Sequence, residues 1–229
     1  MPLFYDEANT RALNRQPQPQ LRVGGVVQNP VPPATYGEDG YWSDVVGLLE
    51  QRLSQLATAG LSSNASVLVV GAGFGHEVGW LRQNVTPDVW GIEPGGWFWD
   101  PTNAGLWWPG VQQFVAEDWL GSGTYLSALQ ALPGVSGQAR FGWVVDADAA
   151  VCHTDAELPV FVGACEDRLQ GNAKGRIWHF VSDRPVEAGP FSNTGLNSKT
   201  IAEWSLTAVG HRWASLADSG VWTDGTQVF

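Results

Sequence analysis

The chain has 229 residues, 44% of them apolar, which suits one domain with a sizeable core and some chain to spare. Its net charge is −11 and it holds only two lysines, Lys174 and Lys199, with the arginines scattered singly. These features exclude a basic stripe for duplex nucleic acid and attraction to anionic lipid, and no apolar run is long enough to predict a membrane span.

The first residues contain Asp6 and Glu7 and lack a basic stretch followed by an apolar one, so no signal peptide is expected and a cytoplasmic location is. Residues 16–35 are rich in Pro, Gln and Gly and read as an extended arm; a short helix can precede it. This divides the chain into an N-terminal segment, 1–40, and a folded domain, 41–229. Val45, Leu48, Leu49, Leu53 and Leu56 share one helical face, so 42–59 is expected to be an amphipathic helix, with Gly60 as its C-terminal stop. Val67-Leu68-Val69-Val70 is a short run rich in β-branched residues, the pattern of a strand buried on both faces. A glycine loop and a helix over about 76–84 follow. Further strands are expected at Val89–Ile92, Val111–Ala116, Trp143–Val145 and Ile177–Val181. Between the last two lies a helix, with Thr154 as its N-cap and Glu157 as the reciprocal partner. Cys152 and Cys165 have no metal-type spacing and read as small buried hydrophobes. A helix at 198–208 and two strands, His211–Ala217 and Gly220–Phe229, complete the chain. The expected fold is therefore α/β: a Rossmann-like, mostly parallel sheet with helices on both faces and a C-terminal antiparallel strand pair.

Gly71-Ala72-Gly73-Phe74-Gly75 leaves the first strand and opens the next helix. Glycines there permit positive φ and close backbone approach to a ligand, and the helix start offers free N–H groups. The spacing is G-x-G-x-G, and His76 stands where a dinucleotide fingerprint has its third glycine. Glu93 ends the second strand, where a carboxylate can accept both hydroxyls of a ribose. Asp118 follows the third, where it can accept from an adenine amino group. All three features sit at carboxyl ends of strands, where open α/β sheets bind ligands.

VLVVGAGFGHEV, GIEP and FVAEDW resemble the first three motifs of class I S-adenosylmethionine-dependent methyltransferases, and FGWVVDADAAVCHTDAELPVF resembles the segment around that family's fourth strand. EDRLQGNAKGRIWHFVSD is similar to the helix, turn and fifth strand that follow. The resemblance spans about 42–229 and is strongest toward the small-molecule branch. It implies S-adenosylmethionine as cofactor, with Gly71, Gly73 and Gly75 facing its methionine part, Glu93 its ribose and Asp118 its adenine. Asp146 would end the fourth strand beside the methyl group. Val69 stands where the family usually carries an acid, and Asp146-Ala147-Asp148-Ala149 stands where nucleic-acid amino-methyltransferases carry Asp/Asn-Pro-Pro-aromatic.

His153 and Asp146 are the candidate catalytic residues, each able to take a proton from the methyl acceptor. A helix-start histidine bonded to backbone is the plainer alternative for His153. His76, His179 and His211 show no metal-ligand spacing, so no metal is expected. Trp97, Trp99, Trp107 and Trp108, four of thirteen tryptophans, pack in the core, wall the ligand or anchor a protein partner. Tyr41 and Trp42 either cover the cofactor or pack locally. The expected activity is methyl transfer to an oxygen or nitrogen of a small molecule or a protein side chain. The alternative is a non-catalytic binding or assembly protein on the same fold, using the arm and the tryptophans; a nicotinamide oxidoreductase is disfavoured by the glycine spacing.

Overall fold

The computed structural model describes residues 22–23, 26–27, 51–72, 76–93, 125–137, 139–147, 149–150, 153–181, 199–216 and 222–223. In the arm, β1 (Arg22–Val23) pairs antiparallel with β2 (Val26–Val27). The domain is built on β3 (Val67–Val70), β4 (Val89–Ile92), β5 (Trp143–Ala147), β6 (Ile177–Val181), β7 (Arg212–Ser215) and β8 (Trp222–Thr223). Their order in the sheet is β4-β3-β5-β6-β7-β8, and the first five are mutually parallel. Helices alternate with the strands: α1 over 51–58, α2 (His76–Asn84), α3 (Tyr125–Ser136), α4 (Leu158–Asp167) and α5 (Ile201–Ser205). This is a Rossmann-like α/β sheet.

The strands alternate between two apolar layers, as side chains of a pleated strand must. Leu68, Val70, Val144, Ile177, Val181 and Trp213 form one layer with Tyr125 and Leu129 of α3, Phe161 and Cys165 of α4, and Ile201 and Trp204 of α5. Val67, Val69, Val145, Phe180 and Ala214 form the other with Leu53 and Leu56 of α1 and Val78 and Leu81 of α2. Every residue of β3, β5 and β6 is buried, which accounts for the apolar side chains on both faces of these strands. Asp146 and His179 interrupt the first layer: they alternate in phase with Val144 and Ile177 and stand side by side across the β5–β6 register.

Several expectations shift. The Thr154–Glu157 reciprocal bonds form, with Glu157 N–H donating to Thr154 Oγ1 at 3.3 Å and Thr154 N–H to Glu157 Oε2 at 3.0 Å. They close a turn, and the helix proper starts at Leu158. The box at a helix start is instead Thr200 with Glu203 on α5, which is shorter than 198–208. Helix α3 was not anticipated, although Tyr125, Ala128, Leu129 and Leu132 are buried at helical spacing. The expected long C-terminal hairpin is not shown: β7 ends at Ser215, and of the strand to Phe229 only Trp222–Thr223 is described, two residues antiparallel to Trp213 and Ala214. The strand expected at 111–116, the first part of the 42–59 helix and the glycines at 73 and 75 lie outside the described residues.

Candidate functional site

The chain adds β4 on one side of β3 and then crosses to β5 on the other. Such a reversal opens a crevice at the carboxyl ends of the two central strands. Gly71 leaves β3 there with φ 82°, in the left-handed region. Its N–H and that of Ala72 donate to the Ile92 carbonyl at 2.9 and 3.0 Å, tying the exit of β3 to the end of β4. A Cβ on Gly71 would lie 2.7 Å from the Ala147 carbonyl oxygen and 3.1 Å from Ala149 Cβ. Both conformation and space therefore require glycine.

Glu93 follows Ile92 directly and is 2% exposed. Its Oε2 accepts from the Tyr125 hydroxyl at 3.3 Å. Tyr125 opens α3, so this contact fixes the carboxylate against the helix on the first apolar layer. An ionised carboxylate only accepts hydrogen bonds, which suits a partner with adjacent hydroxyls.

Asp146 pairs in register with Val70 at the end of β3 and is fully buried. Its Oδ1 accepts the N–H groups of Ala149 and Ala150 at 2.7 and 3.2 Å, so it shapes the turn that faces Gly71. The Ala149 carbonyl in turn lies 3.0 Å from His153 Nδ1. A carbonyl oxygen can only accept, so Nδ1 carries the proton and Nε2 is the basic nitrogen of a neutral ring. The ring stacks on Phe161 at 4.2 Å and tilts toward Tyr125 at 6.0 Å. Burial lowers its pKa. This is the backbone-bonded arrangement that the sequence allowed for His153, and it leaves the ring oriented and neutral.

Asp146 has a second partner that linear spacing hid. Its Oδ2 lies 2.7 Å from His179 Nδ1; His179 Nε2 lies 2.9 Å from His211 Nδ1; His211 Nε2 lies 3.1 Å from Glu166 Oε1. Lys174 Nζ donates to the same Glu166 oxygen at 2.7 Å. The row runs from the crevice end of β5 across β6 to the partly exposed Glu166 on α4. Trp213 stacks on His179 at 3.9 Å, and Trp204 lies behind it. Burial raises Asp146 to about 7. Burial likewise lowers His179 to about 3 and, with its neighbour His179, lowers His211 to about 4. The two histidines are therefore neutral, and Asp146 keeps its proton up to near neutrality.

Gly71, Glu93, Asp146 and His153 thus come together at one edge of the sheet, joined through Tyr125 and the turn after β5. Asp118, Gly73, Gly75, Tyr41, Trp42 and the tryptophans at 97, 99, 107 and 108 lie outside the described residues. Among the described residues no cluster of His, Cys, Asp or Glu converges on a metal position, and no helix is long and apolar enough to cross a membrane. No protein-family model matches the chain, and a search of curated proteins finds no match.

Proposed function

We propose that the chain binds S-adenosylmethionine in the crevice between β3 and β5 and transfers its methyl group to an oxygen or nitrogen of a small molecule or a protein side chain. The supporting observation is the meeting of the Gly71 turn, the buried Glu93 carboxylate and the Asp146–His153 turn at the switch point of a parallel sheet. Glu93 would accept from the ribose hydroxyls. Gly71, with Gly73 and Gly75, would let the backbone approach the methionine part, and Asp118 would serve the adenine. The bound sulfonium supplies a methyl group already activated by its positive charge. The chain's own residues have to align the acceptor, exclude water and take its proton. His153 offers Nε2 for that proton, and Asp146 offers a carboxyl that titrates near neutrality. The charge of −11 favours a small-molecule acceptor over nucleic acid, and a cytoplasmic location accords with this reading.

A second reading is a protein that keeps the fold without the chemistry, with the arm and the tryptophans making an assembly contact. Two observations favour it. Val69 is wholly buried in the second apolar layer, so this position offers no polar anchor to the cofactor. Asp146 already uses both oxygens within the protein.

Glu93→Ala tests the first reading. The variant should fold and bind S-adenosylmethionine more weakly by about 1–3 kcal/mol, the scale of a charged hydrogen bond lost from a site. Unchanged affinity in a folded variant would remove Glu93 from the site. Absence of both cofactor binding and label transfer in the native chain would favour the second reading.

A further inference from the structure

The row Asp146, His179, His211, Glu166 crosses an otherwise apolar layer, where an ordinary structural role is hard to justify. Buried polar pairs replaced by apolar residues of similar volume are often neutral or more stable. The row does not converge on a point, so it is not built to hold an ion. It is linear, each link is 3.1 Å or shorter, and it runs from the carboxyl end of β5 to the partly exposed Glu166.

We propose that His179, His211 and Glu166 form a proton-transfer chain through which Asp146 exchanges its proton with solvent behind the crevice. The hydrogen-bond arithmetic fixes one resting arrangement. The bonds from Lys174 and His211 outweigh burial and hold Glu166 below the ordinary carboxylate value, so Glu166 is ionised and accepts, and His211 Nε2–H donates. His211 Nδ1 must then accept from His179 Nε2–H, and His179 Nδ1 must accept from the Asp146 hydroxyl. Every donor meets an acceptor. Three hops move one proton outward: from Asp146 Oδ2 to His179 Nδ1, from His179 Nε2 to His211 Nδ1, and from His211 Nε2 to Glu166 Oε1. Asp146 ends ionised, Glu166 ends protonated, both imidazoles end neutral as the opposite tautomers, and Glu166 then releases the proton to water. The net charge of the row is −1 before and after the three hops.

The sheath supports this use. Trp213 stacks on His179, and Trp204 stacks on Trp213. Cys165, the other titratable group of α4 in this layer, is wholly buried, and its thiol is pushed well up by burial, so it neither donates to nor drains the chain. His153 faces the same turn, and its Nδ1 bonds to the Ala149 carbonyl, not to Asp146. The value of such a chain to methyl transfer rests on the function proposed above: discharge of Asp146's own proton through the row would leave a carboxylate ready to take the acceptor's proton. The exchange itself does not depend on that reading.

The test uses the full chain with nitrogen-15 in its imidazoles. At about pH 5.5, below the titration of Asp146 and above those of the two histidines, His179 and His211 should both be neutral and carry the proton on Nε2. Exchange of these two protons with water, read by magnetisation transfer, should slow about tenfold or more in Glu166→Gln, whose amide oxygen still accepts from His211 but takes no proton. Lys174→Ala removes the ion pair and keeps the acceptor, so exchange there should stay within about twofold of the native rate. Simple loosening of the fold would speed exchange in Glu166→Gln. Exchange that is unchanged or faster in Glu166→Gln, equal slowing in both variants, or Nδ1-protonated neutral rings in the resting protein would overturn the chain. Each outcome is read on the protein alone, so it is separate from any failure of methyl transfer.

Discussion

Asp146 shows how one side chain links the core to the crevice. Its Oδ1 holds the turn after β5, and its Oδ2 meets His179 on the same face of the sheet. Asparagine can reproduce the protonated acid: its oxygen accepts the two N–H groups and its amide donates to His179 Nδ1. Asp146→Asn should therefore match the native protein to within about 1 kcal/mol near pH 4, below the window in which the folded and unfolded chains differ in protonation. Were Asp146 ionised against a charged His179, breaking that buried pair would cost about 3–5 kcal/mol instead. The pH dependence has a definite sign. Folded Asp146 holds its proton to about 7, while the unfolded chain releases it near 3.8, so between these values rising pH disfavours the native fold. Asparagine lacks this linkage. Denaturation series should therefore show Asp146→Asn gaining on the native protein across that window, by at most about 1.4 kcal/mol per pH unit. A flat difference would place the proton elsewhere. The same variant separates the two candidate bases, because transfer should survive it if His153 takes the proton and fail if Asp146 does. Asp146 was legible in the sequence from its place at a strand end. His179 and His211 were not, because strand register, not sequence spacing, brings them to Asp146 from more than thirty residues away.

At the scale of elements, the sequence was clearest where burial on both faces leaves an unbroken β-branched or apolar run. β3 begins and ends where that run does, and β4 and β6 keep their expected bounds although Gly91 and His179 interrupt their runs. β5 extends past Val145 because Asp146 and Ala147 continue the ladder to β6. Helix α3 is absent from the expected elements, although the buried spacing of Tyr125, Ala128, Leu129 and Leu132 is readable in the sequence. With α3 came Tyr125, the hydroxyl that holds Glu93. The glycine turn is the element on which the site depends. Gly71→Ala would push a methyl group into the Ala147 carbonyl and strain a positive φ. Urea denaturation should show a loss of about 1–3 kcal/mol, with weaker cofactor binding as the two strand exits separate. Native stability together with native affinity in that variant would contradict the close packing of the two exits.

Among the described residues, five parallel strands with helices packed against two apolar layers reverse their order at β3 and β5, where the proposed crevice lies. Composition and alternation made this architecture legible, because each βαβ unit writes its own pattern into the chain. The joining of Glu93 and His153 through Tyr125, and of Asp146 to solvent through two histidines, depends on which helix covers which strand, and no local pattern records that. The most direct measurement is calorimetric titration of the full chain with S-adenosylmethionine, its demethylated product and NAD in parallel. Saturable binding of the first two, weakened by Glu93→Ala, with little response to NAD, is the expected result. Binding of NAD at micromolar concentration with no response to S-adenosylmethionine or its product would contradict the assignment of the crevice.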